Sequence, residues 1–474
     1  MSPSWGVRTA LVSAALLAGG CASVPRDAGV GEVRKIVEER SGQRLAWDPA
    51  QPIEPPADER LRTLLESELT ADRAVEIALA NNRDLLATLE GMGVARADLI
   101  AASTIRNPVL DGELRFPGNP FELAVTQTLV DLFQLSRRRA LGQAAFEAAR
   151  LRVTGSVLGF AAEVRADYYT LQASQQALAE QRTITAAAEA SAGLARRQHE
   201  AGNISDLDLE NEQAMYERGK LDLARAELDE LQSRERLLAA LGAQQTLPLT
   251  LPAQTPPAAG GQERSLAEVA DAIPRRLDVA LAKAELEAAR RALPLARSSA
   301  YDELALGVHH DREDGQTTTG PGVTIPIPIF DRGLAGRTRA AANLRMAEQR
   351  LYALTATAGA EARAARERLL EARARADYLR DVVVPRRQRI LYLTQLEYNT
   401  MLRGVFDLIR ARQGLSDAVR EQVMAVRDYW LAHTGLESAM AGVTGFSARA
   451  EPPRIPGMDL REPSSPQRKS NAHD

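Results

Sequence analysis

The chain has a single cysteine, Cys21, in 474 residues, so no disulfide can form within it. Aromatic residues make up only 4%, too few for a thick aromatic core, while alanine recurs throughout; that balance suits long, closely packed helices. Neither sign of charge dominates, with 59 Lys and Arg against 63 Asp and Glu, so the chain as a whole has no general attraction for nucleic acid or anionic lipid. The five histidines are scattered at 199, 309, 310, 433 and 473. There is no HExxH, Cys pair, Gly-rich phosphate loop or nucleophile elbow, so the sequence suggests neither an enzyme nor a cofactor. Past the first twenty residues no apolar run reaches 18 residues, the length a spanning helix needs. A membrane crossing would therefore have to be a closed β-barrel.

The first twenty residues carry one charge, Arg8, ahead of the apolar run "TALVSAALLAGG". This pattern predicts a signal segment over 1–20. Cys21 is then either a small residue beside a cleavage site or the lipidated first residue of a mature lipoprotein, since "LLAGGC" resembles a bacterial lipobox. By the same resemblance, Ala22 after the cysteine suggests sorting to the outer membrane.

An internal repeat organises the rest. "HEAGNISDLDLENEQA" from His199 aligns with "YNTMLRGVFDLIRARQ" from Tyr398, putting Asp208 on Asp407. "NRDLLA" at Asn82 aligns with "RRLDVA" at Arg275, and "VTQTL" at Val125 with "VTIPI" at Val323. The expected organisation is an N-terminal lipid-anchored extended segment over 21–68, a first repeat over 69–245, a linker over 246–265, a second repeat over 266–441 and a disordered tail over 442–474.

Each repeat reads helix, two strands, very long helix, tight turn, long helix. Phe146, Val153, Val157, Phe160, Val164, Tyr168, Leu171 and Leu178 recur by threes, fours and sevens, a coiled-coil seam. Residues 135–198 predict a rod ~95 Å long. Leu344, Leu351, Leu354, Leu369, Leu379, Val383, Ile390 and Leu393 repeat the seam, with Pro385 predicting a kink or break. Gly202 supplies the turn before the first returning helix, and Ser205 with Asp208 forms an acidic capping box.

Strands are expected near 108–116, 122–131, 302–310 and 319–330. Leu110, Leu114, Leu123, Val125, Leu306 and Val308 alternate with polar residues. Such segments suit either a lipid-facing barrel or an ordinary half-buried sheet. Four strands cannot close a barrel, because the smallest use about eight, so the membrane reading requires several chains. "HHDRED", residues 309–314, holds potential metal ligands, but reads better as a solvated loop between strands. In "GPGVTIPIPIF", Pro326 and Pro328 withdraw two ladder donors from the same side of a strand, which marks either the place where pairing ends or a protected edge.

The duplication, the two tips and "IPIPIFDRG" together resemble the TolC family of bacterial outer membrane factors over residues 69–440. The resemblance implies a mainly α fold with a small antiparallel β portion. Four strands per chain would form a homotrimeric twelve-stranded barrel in outer membrane lipid, joined to a periplasmic α-barrel. It implies the passive duct of an efflux or type I secretion system, working with a periplasmic adaptor (membrane fusion) protein and an inner-membrane pump of the resistance-nodulation-division or ATP-driven type. Pro326 and Pro328 would mark the barrel-to-helix exit. Tyr398, Arg403 and Asp407 match the family's periplasmic gate, with Arg410 where a second aspartate is common. The first tip, Gly202, Ile204, Ser205, Asp206, Leu207 and Asp208, would receive the adaptor. "IPIPIFDRG" is similar to the heavy-metal branch. From the residues alone, Asp407 equally suits a helix N-terminus, and a periplasmic coiled-coil adaptor or a structural envelope lipoprotein are the other classes.

Overall fold

Two very long helical hairpins hang from one small sheet. The computed structural model describes residues 30–45, 58–114, 121–257, 264–313, 316–330 and 332–443. Cys21, the signal segment and most of the tail lie outside them. In chain order the helices are α1 (Val30–Ser41), α2 (Asp58–Leu64), α3 (Ala71–Asn81) and α4 (Arg83–Ser103), leading to β1 (Val109–Leu114) and β2 (Phe121–Thr128). Then come α5 (Val130–Glu200), α6 (Asp206–Leu241), α7 (Leu266–Ala272) and α8 (Leu277–Ser298), leading to β3 (Ala305–Glu313) and β4 (Gln316–Thr324). The chain finishes with α9 (Leu334–Tyr378), α10 (Val384–Asn399) and α11 (Val405–Ala441). The fold is mainly helical with one antiparallel sheet.

α5 runs 71 residues, roughly 105 Å, and starts five residues before the expected rod. Val153, Val157, Phe160, Val164, Tyr168, Leu171 and Leu178 are all buried along it. The second rod departs from its expected seam. Its fully buried positions include Ala358 and Ala362, while Ile390 and Leu393 stay 41% and 42% exposed in the protomer. Alanine side chains let two helix backbones approach closely, which larger seam residues would prevent. Pro385 produces a local break: a π-helical turn, Leu379–Val383, ends just before it, and α10 restarts with the proline in its first turn. The wider turn accommodates a residue that has no N–H to donate.

The main core lies midway along the molecule, where α1 to α4 and the end of α6 pack on α5. One expectation is corrected here. The segment over 21–68 is not simply extended, because it contains α1 and α2; Val30, Val33 and Val37 fall on one helical face and are buried. The described first part of the linker, residues 246–257, is packed. Leu247, Leu249 and Leu251 alternate into the core, and the Leu69 N–H donates to the Thr250 carbonyl at 2.8 Å. Tyr168 Oη donates to the Leu69 carbonyl at 2.9 Å, and the buried Gln172 amide to the Pro252 carbonyl at 2.9 Å. These bonds pair three backbone carbonyls with donors where three segments meet.

The sheet has the order β1-β2-β3-β4, antiparallel throughout, so β2 and β3 join the two halves of the chain. The strands differ from the expected spans. β3 reaches Glu313, because residues 309–312 pair with the threonine-rich start of β4; His310 Nδ1 lies 2.7 Å from Thr319 Oγ1. Residues 309–313 are therefore strand and not loop. β4 stops at Thr324, two residues before Pro326, and pairing ends at Ala305–Thr324. Pro326 and Pro328 lie beyond the ladder, where the Ile329 N–H turns back to the Ile327 carbonyl at 2.8 Å. β2 ends at Thr128, because Val130 and Asp131 already belong to α5. Among the described residues no helix is long and apolar enough to cross a membrane.

Candidate functional site

The register sorts the sheet into two faces. Leu110 pairs with Val125, Val125 with Val308 and Val308 with Pro321, one row across all four strands. Residues facing each other across a ladder share a face, so this row joins Leu114, Leu306 and Val323 in one apolar band, with His310 and Arg312 on the same side toward the β3–β4 turn. These side chains are open in the protomer, with Leu110 65% and Val323 60% exposed. The opposite face carries Asp111, Glu113, Glu122, Thr126, His309, Asp311 and Thr318. Three glycines also lie on it, at 307, 320 and 322. A Cβ on Gly307 would come within 2.8 Å of the Val125 carbonyl oxygen, so glycine there allows the β2–β3 contact. Among the described residues no cluster of three metal-ligating side chains occurs, His309 and His310 included.

Where the sheet meets the helices, Asp131 ties the two together. Its carboxylate, 2% exposed, accepts from Arg106 Nε at 2.8 Å and Nη2 at 2.9 Å, and from Arg138 Nη1 at 2.9 Å. The Arg106 N–H also donates to it, at 3.2 Å. Nothing in the repeat pattern marked these three residues. The only local signal is an acid in the first turn of a helix, which is common.

The hairpin tips lie at the far end. In the first, Gly202 takes φ 74° and its N–H donates to the His199 carbonyl at 2.8 Å, with Asn203 N–H to Gln198 at 2.8 Å. Ser205 Oγ accepts from the Asp208 N–H at 3.2 Å and donates to Asp208 Oδ2 at 2.8 Å, the capping box read from the sequence. His199 Nε2 and Asp206 Oδ1 close the turn at 2.6 Å. Leu207 is 69% exposed and Ile204 half-buried, so the tip offers an apolar pair among carboxylates.

The second tip copies this backbone with different side chains. Met401 takes φ 60°, its N–H reaches the Tyr398 carbonyl at 3.0 Å, and the Leu402 N–H reaches Glu397 at 2.8 Å. Gly404 holds the N-cap at φ −78°, ψ 161°, against −80°, 163° for Ser205. It has no hydroxyl, so Asp407, in the place of Asp208, is not held by a capping side chain. Arg403 Nε instead donates to Glu397 Oε2 at 2.9 Å. That bond, reinforced by the charges of Glu397 and Asp407, holds the guanidinium above its usual range. Of the four expected gate residues, the protomer thus brings Arg403 and Asp407 into electrostatic range, while Tyr398 and Arg410 stand exposed around them. Glu397 had no signal in the sequence, since its partner lies six residues away across the turn.

Residues 74–243 match the family model described as outer membrane efflux protein. The cobalt-zinc-cadmium resistance protein CzcC of Cupriavidus metallidurans is 23% identical over 364 residues, spanning 74% of this chain and 84% of that relative. The CmeC outer membrane channel of Campylobacter jejuni shares the fold with a TM-score of 0.66 at 16% identity, covering 86% of this chain and 92% of CmeC. The open-state MtrE outer membrane channel of Neisseria gonorrhoeae gives 0.62 at 16% identity, with 80% and 90% covered. Over residues 74–243 the chain thus resembles the outer membrane efflux proteins, and its fold is the one held in common with these outer membrane channels.

Proposed function

We propose that the chain is the outer membrane duct of a tripartite efflux or type I secretion system, passive and gated at its periplasmic tips. One observation carries this reading. The four-stranded sheet exposes an unbroken apolar row on one face and a polar face on the other, yet has two open edges, β1 and β4. Lipid would cover the first face and water the second, but an open edge cannot stand in hydrocarbon, where each unpaired backbone group costs several kcal/mol. Three copies joined edge to edge give twelve strands and leave none open.

The finer assignments follow. The chain is a tandem duplication, supported by equal backbone angles at the paired tips. Cys21 carries the lipid anchor, and Pro326 and Pro328 mark the exit from barrel to helix. The first tip, from Gly202 to Asp208, receives the hairpin of a periplasmic adaptor, and an inner-membrane pump supplies energy. Tyr398, Arg403, Asp407 and Arg410 form the gate. The name of the CzcC relative, together with the "IPIPIFDRG" likeness, supports divalent transition-metal cations as cargo. Deleting the gene should raise sensitivity to zinc or cobalt; unchanged tolerance would remove the metal assignment but leave the duct standing. The duct itself is tested by fractionating cells and fusing the purified protein into planar bilayers, where discrete conductance steps are expected. A protein found only in the soluble periplasmic fraction, with no conductance, would reject it.

A further inference from the structure

The balanced charge of the whole chain conceals an uneven distribution just below the sheet. α5 starts two residues after β2, and its first turn exposes Leu132 and Phe133, at 53% and 76%. Ser136, Arg137 and Arg139 continue the same exposed side one to two turns further from the sheet. The second half repeats the order. Ile329, Phe330 and Leu334 are 63%, 98% and 71% exposed as the chain enters α9, and the exposed Arg332 and Arg339 stand among and beyond them.

The side chains of Arg137, Arg139, Arg332 and Arg339 make no ion pair or hydrogen bond among the described residues. The buried carboxylate in the first turn of α5, Asp131, is already engaged by Arg106 and Arg138. Helix stability does not account for the pattern. The first turn of α9 contains no acidic residue, and Arg332 sits against the positive end of its dipole, where a cation is disfavoured. A local rule broken without compensation marks a functional surface. Helical side chains lean toward the helix N-terminus, here toward the sheet, and arginine lays its apolar stem along apolar surface while its charged head reaches polar groups.

We propose that this collar, apolar next to the sheet and cationic below, binds the anionic phospholipid headgroups of the periplasmic leaflet. The inference rests on the barrel reading above. Phe133, Phe330 and Leu334 occupy the interfacial layer, continuous with the apolar face of the sheet; Arg332 meets phosphate at its edge, and Arg137, Arg139 and Arg339 do so one to two helical turns lower. Arginine suits phosphate because its fork of donors matches the oxygens two at a time.

The test is native mass spectrometry of the detergent-purified assembly, offered phosphatidylglycerol or phosphatidylcholine at equal concentration, with parallel insertion into phosphatidylcholine vesicles. Wild type should retain phosphatidylglycerol at least roughly fivefold over phosphatidylcholine, the scale expected for arginines at an anionic surface. The variant R137Q/R139Q/R332Q/R339Q should fall to parity, yet still insert and conduct. The pair R137Q/R139Q, should the fourfold variant fail to fold, should lose part of the preference, while the distant exposed pair R350Q/R386Q should keep all of it. Equal retention of both lipids by wild type, or full preference in the variants, would overturn the proposal. So would displacement of the lipid by an equal concentration of inorganic phosphate. A protein that enters no bilayer of any composition would overturn the barrel reading instead.

Discussion

Gly202 and Met401, 199 residues apart, hold the same left-handed backbone at the same place in their turns, φ 74° and 60°. Glycine adopts that region freely, whereas a methionine there is strained by roughly 1 kcal/mol. Met401 is 93% exposed, so no packing in the protomer offsets the strain. Met401→Gly should therefore raise the stability of the second tip by up to about 1 kcal/mol, and Gly202→Ala should lower that of the first by a similar amount. Amide hydrogen exchange at the two turns would read both changes. Slower exchange on Met401→Gly is expected, and no change would show the strain to be relieved elsewhere.

The gate assignment makes a prediction about Glu397 as well as Asp407. Glu397 holds Arg403 within the protomer, at 2.9 Å. Arg403→Ala with Asp407→Ala should increase mean single-channel conductance, and Glu397→Gln should move it through the same arginine. Unchanged conductance in both variants would remove these residues from the gate.

Stability should depend on pH through Asp167. It lies on α5, nearly buried, with Arg236 of α6 at 3.7 Å. Burial, eased by Arg236 and reinforced by Glu163, pushes its carboxyl up to about 6 from 3.8. The folded chain thus takes up this proton at higher pH than the unfolded chain, so stability is gained as pH falls from 6 toward 4 and lost as it rises through that window. Asp167→Asn should flatten this dependence and stabilise the protein at pH 7.5 by about 1 kcal/mol. Thermal melting at pH 5 and 7.5 checks it: the gap between the two should shrink in the variant.

Asp131→Asn should loosen the joint between sheet and helix. Two guanidinium groups would lose their shared carboxylate; Arg106 remains half in solvent and Arg138 mostly covered. A loss of about 2 kcal/mol is expected, below the figure for a fully buried pair because Arg106 can rehydrate. A lower temperature of assembly dissociation would show it, with Arg106→Gln having the smaller effect.

What the sequence revealed follows from how locally each feature is encoded. The long rods and the Ser205–Asp208 cap depend on residues within one or two turns of each other, so spacing alone exposed them. Close packing of the second rod was legible in its alanines, such as Ala358 and Ala362, whereas Ile390, assigned to the same seam by its size, stays open in the protomer. The strand expected to end at 310 runs on through Asp311 and Arg312, which looked like a loop because charge suggests solvent; only pairing with Thr317 and Thr318 makes them strand. The Asp131–Arg106 tie joins residues 25 apart across a hairpin, which no periodicity reports. Pro326 and Pro328 were legible as an end to pairing, yet the strand stops at Thr324, six residues short of the 330 that the alternation of isoleucines suggested.

The central claim is that one chain supplies an incomplete sheet and its copies complete it. The mass of the detergent-extracted particle, measured by light scattering with the detergent subtracted, tests this most directly. Three chains per particle, separating into single chains only on heating in dodecyl sulfate, are predicted. A stable, fully folded single chain that needs no detergent would contradict it.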